Sequence, residues 1–317
     1  MTHSTEPPWK SWDPKMRKEF SSWVEEVGGR HEDTLFLTGD LGYNALENVA
    51  RAMGKRFINV GVCEQNMISL AAGLAQQGLS PFCYSIAPFA AFRPAEQIRL
   101  DVCIHNMNVK IIGNGGGYGY GIMGATHHAI EDLAVLSSFP NMRCYVPVAN
   151  DDVESVCDAM YARKGPSYLR LGHGVLPEGT SLEMPYAPVR RVSRGTHCTI
   201  VGIGPVLLNA LHACSESRMN ADIFVVSEVP LVELGTELEE SLRRTGRLLV
   251  IEEHVRRGGL GEMLAEMILA RGLFVKFSHQ HARGYPDHLY GSQAYHQKQS
   301  GLDPHSLMQA LTGLSDG

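Results

Sequence analysis

RFINVGVCEQNMISLAAGLA, residues 56–75, changes its hydrophobic rhythm halfway along. Phe57 to Val62 reads as a short apolar strand. The helix that follows carries Ser69, Ala71, Ala72 and Gly73, small enough to let it lie close on a sheet. Glu64 stands on the junction between the two. A carboxylate there leaves the carboxyl end of a strand, where open α/β sheets hold their ligands, and apolar neighbours would desolvate it and raise its pKa. A Glu in the first turn of a helix is also favoured by the helix dipole alone, so local sequence leaves both roles open.

The same alternation runs outward in both directions. Upstream, Met16 to Gly28 has helical spacing, and Thr34 to Thr38 is a strand ending in Gly39-Asp40-Leu41-Gly42. Downstream come the strand Pro81 to Ile86, the helix Ala95 to Asn106 and the strand Val109 to Ile112. Next is the glycine-rich loop GNGGGYGYGIMG, with a helix expected near His127. The strand Arg143 to Val146, a helix from Asp151 to Ala162 and the strand Tyr168 to Leu171 complete the run. Short apolar strands alternating with helices predict an α/β fold with a doubly wound, mostly parallel sheet. Residues 174–190, rich in Pro and Gly without periodicity, read as a linker. Beyond it the alternation resumes with strands Cys198 to Val201, Asp222 to Val226, Leu248 to Glu252 and Phe274 to Phe277. Two domains are therefore expected, 1–185 and a smaller 186–317, with 1–14 as an extended lead-in whose Trp9 and Trp12 could fold over a neighbour.

Composition narrows the function. The 317 residues are 44% hydrophobic and 20% charged, with a formal charge of −6. Lys and Arg total 28 against 34 acids without a basic stripe, which gives a nucleic acid no electrostatic footprint. Seven scattered cysteines without a C-x-x-C pair read as reduced thiols. No apolar signal core opens the chain, and no run approaches the roughly 18 to 20 apolar residues of a membrane span. A cytoplasmic location is expected.

In a parallel sheet, Asp40, Glu64, Phe89 with Phe92, and the glycine loop leading to His127 all leave strands on one edge. One shared site is the economical reading. GVCEQNM at 61–67, PFAAF with EQIR at 88–99, GATHHAIEDLA at 124–134, GPSYLRLG at 165–172 and VIEEHVRRGGLGEMLAE at 250–266 stand in an order and spacing that resembles the C-terminal half of transketolase, over residues 15–312. The resemblance implies a pyrimidine-binding domain followed by the family's C-terminal domain, with thiamine diphosphate as cofactor. Glu64 would hold the aminopyrimidine ring through its 1′ nitrogen, a task for a carboxyl group in a dry pocket. Val62 would sit beneath the bent cofactor, and Phe89 and Phe92 would stack or edge onto the pyrimidine. Asp40 and Leu41 match the family's Asp-Leu segment on the thiazolium side. His127 would hydrogen-bond the substrate near its reacting oxygens, as a neutral imidazole can near pH 7; His128 beside it reads as structural.

Departures from the family pattern bear on the substrate. Gly115 and Met123 stand where the family has a substrate-binding His and an Asp that contacts donor hydroxyls; His173 replaces a phosphate-binding Arg, and Asn44 a phosphate-contacting Ser. Exchange between the usual pentose phosphates is therefore not the expected reaction. The run Gly115-Gly116-Gly117, with Tyr118 and Tyr120, would widen the pocket for a bulkier or unphosphorylated acceptor.

The family's diphosphate-binding domain, with its Gly-Asp-Gly motif, has no counterpart here; Gly39-Asp40-Leu41 lacks the third glycine. The resemblance thus implies one subunit of a split transketolase, acting on small sugars. An N-terminal partner would carry that domain and hold Mg2+ or Ca2+, in an α2β2 assembly. Two alternatives share the same module: a beta-type subunit of a 2-oxo-acid dehydrogenase or other thiamine-dependent acyl-transfer enzyme, and an inactive regulatory partner. Gly119 to Gly124 formally matches G-x-G-x-x-G, but no acidic residue ends a following strand as a dinucleotide site requires. His279 with His281 and His288 with His296 lack the spacing of a metal site, and Glu252-Glu253-His254 reads as structural or interfacial.

Overall fold

The structure is a computed structural model that describes residues 15–42 and 46–315. The lead-in 1–14 and Asn44 lie outside the described residues. The strands are β1 (Thr34–Thr38), β2 (Phe57–Asn59), β3 (Ser80–Ile86), β4 (Lys110–Asn114), β5 (Arg143–Tyr145), β6 (Ser167–Leu171), β7 (Val189–Ser193), β8 (Thr199–Ile203), β9 (Asp222–Val226), β10 (Glu228–Val229), β11 (Arg247–Val255) and β12 (Lys276–Ala282). Among the described residues they form two sheets, in the orders β10-β5-β6-β4-β3-β1-β2 and β12-β11-β8-β9-β7. All pairings are parallel except β10 with β5 and β7 with β9, so the expected pair of doubly wound sheets is what the chain builds.

β1, β4, β6, β8 and β9 are buried along their whole length. Central parallel strands are covered on both faces, which is why they read as continuous apolar runs rather than alternating ones. The helix Lys15–Arg30 covers one face of the first sheet, stacking Phe20 on Tyr84 at 6.5 Å and tying Trp23 Nε1 to Asp158 Oδ1 at 2.8 Å.

Four local expectations need correcting. The strand at Phe57 stops at Asn59 instead of Val62, because Gly61 turns at φ +77° and the Asn59 side chain accepts from the Gly61 and Asp40 amides at 3.0 Å each. The helix expected over Ala95–Asn106 is a short α-turn, Ala95–Gln97, widening into a π-turn over Ile98–Ile104. No helix starts at His127: Gly121–Thr126 forms a tight 3-10 stretch broken by Gly124 at φ +71°, and the helix begins at Asp132. The stretch read as linker ends inside β7, whose Arg190 and Arg191 are buried against Asp152 at 2.8 Å and Asp222 at 3.0 Å. Paired arginines in VRRVS look solvated in sequence; only the facing acids make them strand residues.

The two sheets are tied together. β10, from the second half of the chain, pairs with Cys144 and Tyr145 at the edge of the first sheet. Past β4, the glycine loop packs against the second domain. Glu253 Oε1 accepts from the Tyr118 amide at 2.6 Å, and Arg170 donates to the carbonyls of Ala129 and Glu253. A Cβ at Gly117 would stand 2.3 Å from Glu253 Oε1, and at Gly116 2.2 Å from Arg170 Nε. Gly117 therefore permits close packing against the second domain and Gly116 against Arg170 of β6, rather than widening a pocket. Tyr118 is fully buried, its hydroxyl between Ser300 and Gly284, and offers no face to an acceptor.

Next to it His128, 2% exposed, donates from Nε2 to the Gly121 carbonyl at 2.8 Å and accepts at Nδ1 from the Tyr285 hydroxyl at 2.9 Å. The neutral ring satisfies both bonds, and burial, aided by nearby His296 and His127, lowers its pKa to about 4. The fold then binds fewer protons than the unfolded chain between pH 6.5 and 4, so this contribution is complete above 6.5 and lost as pH falls through that window. Thermal unfolding of wild type and His128→Gln between pH 7.5 and 4.5 should show a wild-type advantage that shrinks with acidification, by up to about 3 kcal/mol. A constant difference would contradict it.

Candidate active site

Glu64 is the first residue of the helix Glu64–Gln76, reached from β2 through Gly61, Val62 and Cys63. The Cys63 thiol donates back to the Val60 carbonyl at 2.9 Å and pins this turn. The Glu64 side chain is 2% exposed. Its Oε1 accepts from Ser85 Oγ on β3 and its Oε2 from Arg93 Nη1, each at 3.1 Å. Gly39, just past β1, completes the enclosure, since a Cβ there would come within 3.1 Å of the Gly61 carbonyl. The carboxyl group thus lies at the carboxyl ends of β1, β2 and β3, and its Ser85 partner is on β3, two strands away from the β2 that Glu64 follows.

Val62 beside it is 71% exposed, an apolar side chain left facing outward on the rim. Asp40 is exposed in the left-handed region at φ +57°, held by the amide of Asn59, whose Nδ2 donates to Asp40 Oδ1 at 3.0 Å. The Leu41 carbonyl accepts from Thr38 Oγ1, which closes the loop.

Phe89 lies in the short helix Ala87–Ala91 that follows β3. Four residues on, Arg93 lays its guanidinium 3.8 Å from the Phe89 ring centroid. The edge of His127 meets the same phenyl ring, with centroids 5.2 Å apart at 64°, and the Tyr120 ring lies 5.7 Å from that of His127. His127 Nδ1 is hydrogen-bonded to Thr126 Oγ1 at 2.9 Å. Burial, and then the Arg93 charge, lower the His127 pKa, which favours a neutral imidazole near pH 7. Tyr120 is anchored in turn by Asn114 Nδ2 at 3.0 Å, at the end of β4.

Glu64, Phe89 and His127 therefore share one rim, linked through Arg93. Phe92 is half-buried and packs against the main core cluster. Gly115, at φ +72°, is buried beneath Tyr120, where a Cβ would stand 2.1 Å from the ring. Met123 is 53% exposed on the 3-10 stretch, and His173 is exposed beyond β6, without a hydrogen bond to this cluster among the described residues. His279 is engaged with Glu252 at 2.6 Å, and Glu252 also caps the helix Leu260–Ala270 through two backbone amides.

Ser85, Arg93 and Asn114 were not singled out from sequence. Arg93 left a signal: in PFAAFRPAEQIR it is four residues after Phe89, the helical spacing that brings a cation onto a ring. Ser85 left none, being an ordinary small residue inside an apolar strand.

Known proteins agree with this architecture. Residues 13–178 match the family described as transketolase, pyrimidine binding domain, and residues 187–307 that described as transketolase, C-terminal domain. One subunit of the apulose-4-phosphate transketolase of Phocaeicola vulgatus is 31% identical over 268 residues, covering 80% of this chain and 83% of its own. The 6-deoxy-6-sulfo-D-fructose transketolase subunit SqwH of a Clostridium species is 29% identical, with 80% of each chain covered. A split gene transketolase solved as an inactive beta4 tetramer superposes with a TM-score of 0.81 at 29% identity, over 94% of this chain and 97% of its own.

Proton NMR titration should find His127 protonating below the ordinary value of about 6.5. Arg93→Met should raise that midpoint part of the way back, since burial remains when the guanidinium goes. An unchanged midpoint would show that Arg93 does not act on the ring.

Proposed function

Because this chain belongs to the transketolase family, we propose that it is the C-terminal subunit of a split, thiamine-diphosphate-dependent transketolase. It would move a two-carbon ketol unit from a ketose to an aldehyde. The observation that carries the reading is the buried Glu64 carboxyl, held over three strand ends beside the face of Phe89. An aminopyrimidine ring needs an acid that can share a proton with its ring nitrogen, and an aromatic surface to lie against; these residues fit both needs.

Thiamine diphosphate, when bound, supplies a carbanion able to open the ketose bond between carbons 2 and 3 and carry the fragment to the acceptor. Glu64 holds the proton at the pyrimidine nitrogen, and its burial keeps water from competing for it. Phe89 and Phe92 would confine the ring, and the exposed Val62 would support the cofactor. Asp40 and Leu41 would lie toward its thiazolium. His127, neutral and edge-on to Phe89, donates or accepts a hydrogen bond at the substrate oxygens where charge develops.

The partner is an N-terminal subunit that contributes the diphosphate site with Mg2+ or Ca2+, in an α2β2 enzyme located in the cytoplasm. An interface that completes an active site is large and obligate, so this chain is inactive alone. The substrates are small sugars other than the usual pentose phosphates, in keeping with Gly115, Met123, His173 and Asn44 at the substrate positions. Two relatives named for apulose 4-phosphate and for a sulfofructose point the same way.

The test is reconstitution with the N-terminal partner and assay against a panel of ketoses and aldehydes. Glu64→Gln should lower activity about a hundredfold or more while the complex still assembles. Full activity in that variant removes Glu64 from the chemistry, and carbon dioxide release from a 2-oxo acid would favour the dehydrogenase reading instead.

A further inference from the structure

Among the described residues, Arg93 is the one cation on the Glu64 carboxyl, and its position has a consequence for how the site loads. Its Nη1 is 3.1 Å from Glu64 Oε2 and its guanidinium carbon 3.8 Å from the Phe89 centroid. These are the two surfaces, one acidic and one aromatic, that the function above assigns to the pyrimidine ring. A guanidinium is planar, presents N–H donors in its plane and stacks on aromatic faces, so it makes the same two contacts that an aminopyrimidine would make. Phe89 is partly open, and the face that Arg93 covers cannot hold a second planar group at the same time.

We propose that Arg93 is a positioning residue that stands in for the aminopyrimidine ring in the cofactor-free chain, and that it is displaced from Glu64 and Phe89 when the cofactor docks. The proposal rests on the reading of Glu64 as the ring's proton partner. Two features allow the exchange. The Arg93 side chain is 43% exposed and has water to swing into, whereas Glu64, at 2%, has none. Among the described residues, Arg93 has no other hydrogen bond or ion pair to hold it. Ser85 keeps its bond to Oε1 throughout, so the carboxyl stays oriented while its second partner changes.

The exchange also answers a problem of the subunit on its own. A carboxylate removed from water and left without a cation is strongly destabilising. With Arg93 present, the Glu64 carboxyl is satisfied before cofactor or partner arrives. A ligand must then both share a proton with the carboxyl group and stack on Phe89 to replace it, so a planar ring that cannot share that proton is disfavoured.

The test uses the complex reconstituted with its N-terminal partner, with thiamine diphosphate and Mg2+ as the probe. Association is followed by the change in tryptophan fluorescence, and stability by thermal unfolding with and without cofactor. Arg93→Met keeps the stem and loses the fork. It should raise the association rate constant about tenfold, the size of one solvent-screened ion pair plus an exposed cation–π contact. Dissociation should be unchanged, and the unfolding temperature should fall only without cofactor. Arg93→Lys, which keeps the charge but not the planar fork, should lie between. Slower or weaker binding by Arg93→Met, or a lower unfolding temperature of the loaded complex, would mean that Arg93 stays on the bound cofactor and would overturn the proposal. Unchanged association would overturn it as well. Glu64→Gln separates the two readings: cofactor binding equal to wild type removes the premise about Glu64, whereas weakened binding there with no effect of Arg93→Met removes only the stand-in.

Discussion

A carboxyl group taken out of water must be hydrogen-bonded, and the rim of the first sheet is arranged around meeting that demand for Glu64. Ser85 arrives from β3, Gly39 from β1, and the residue itself from the turn after β2. Parallel strands bring these ends to one edge only in the order β3-β1-β2. Asn59 ends β2 early and clamps Asp40 and Gly61 together, which leaves Val62 exposed and Glu64 turned inward. The position of one acid therefore depends on strand order, on a side chain that caps a strand, and on a glycine that leaves room.

The second domain acts on this rim from behind. Glu253 binds the glycine loop together with Arg170 of β6, and the second domain's Tyr285 and His296 pack on Tyr118 and His128. The loop leaves this packing at Gly121 and delivers His127 toward Phe89, while its neighbour His128 faces the domain boundary. Two adjacent histidines thus receive opposite duties from one backbone turn. The orientation of His127 is inherited from an interface that contains none of the proposed chemistry.

Much of this was legible in the amino-acid order. The change from apolar strand to small-residue helix at residues 56–75, the recurrent strand and helix spacing, and the positions of Glu64, Phe89 and His127 follow from local periodicity and from motifs whose residues are close in sequence. β1 and β9 have the bounds their apolar runs predict. Less was legible where a residue's role depends on what faces it. VRRVS became β7 because Asp152, in the turn before the helix Val153–Ala162, and Asp222, on the neighbouring β9, neutralise its arginines from far along the chain. Glu228–Val229 became an edge strand of the other domain's sheet.

The sequence by itself determined the alternation, the two sheets and the chemical character of the rim, because hydrophobic period and turn residues are local properties. Only the tertiary structure decided that the glycines serve close packing, that Tyr118 is buried, and that Arg93 and Ser85 close on Glu64. Those outcomes depend on contacts between residues tens to more than a hundred positions apart, brought within about 3 Å by strand order and domain docking, and no local pattern of residues encodes that proximity.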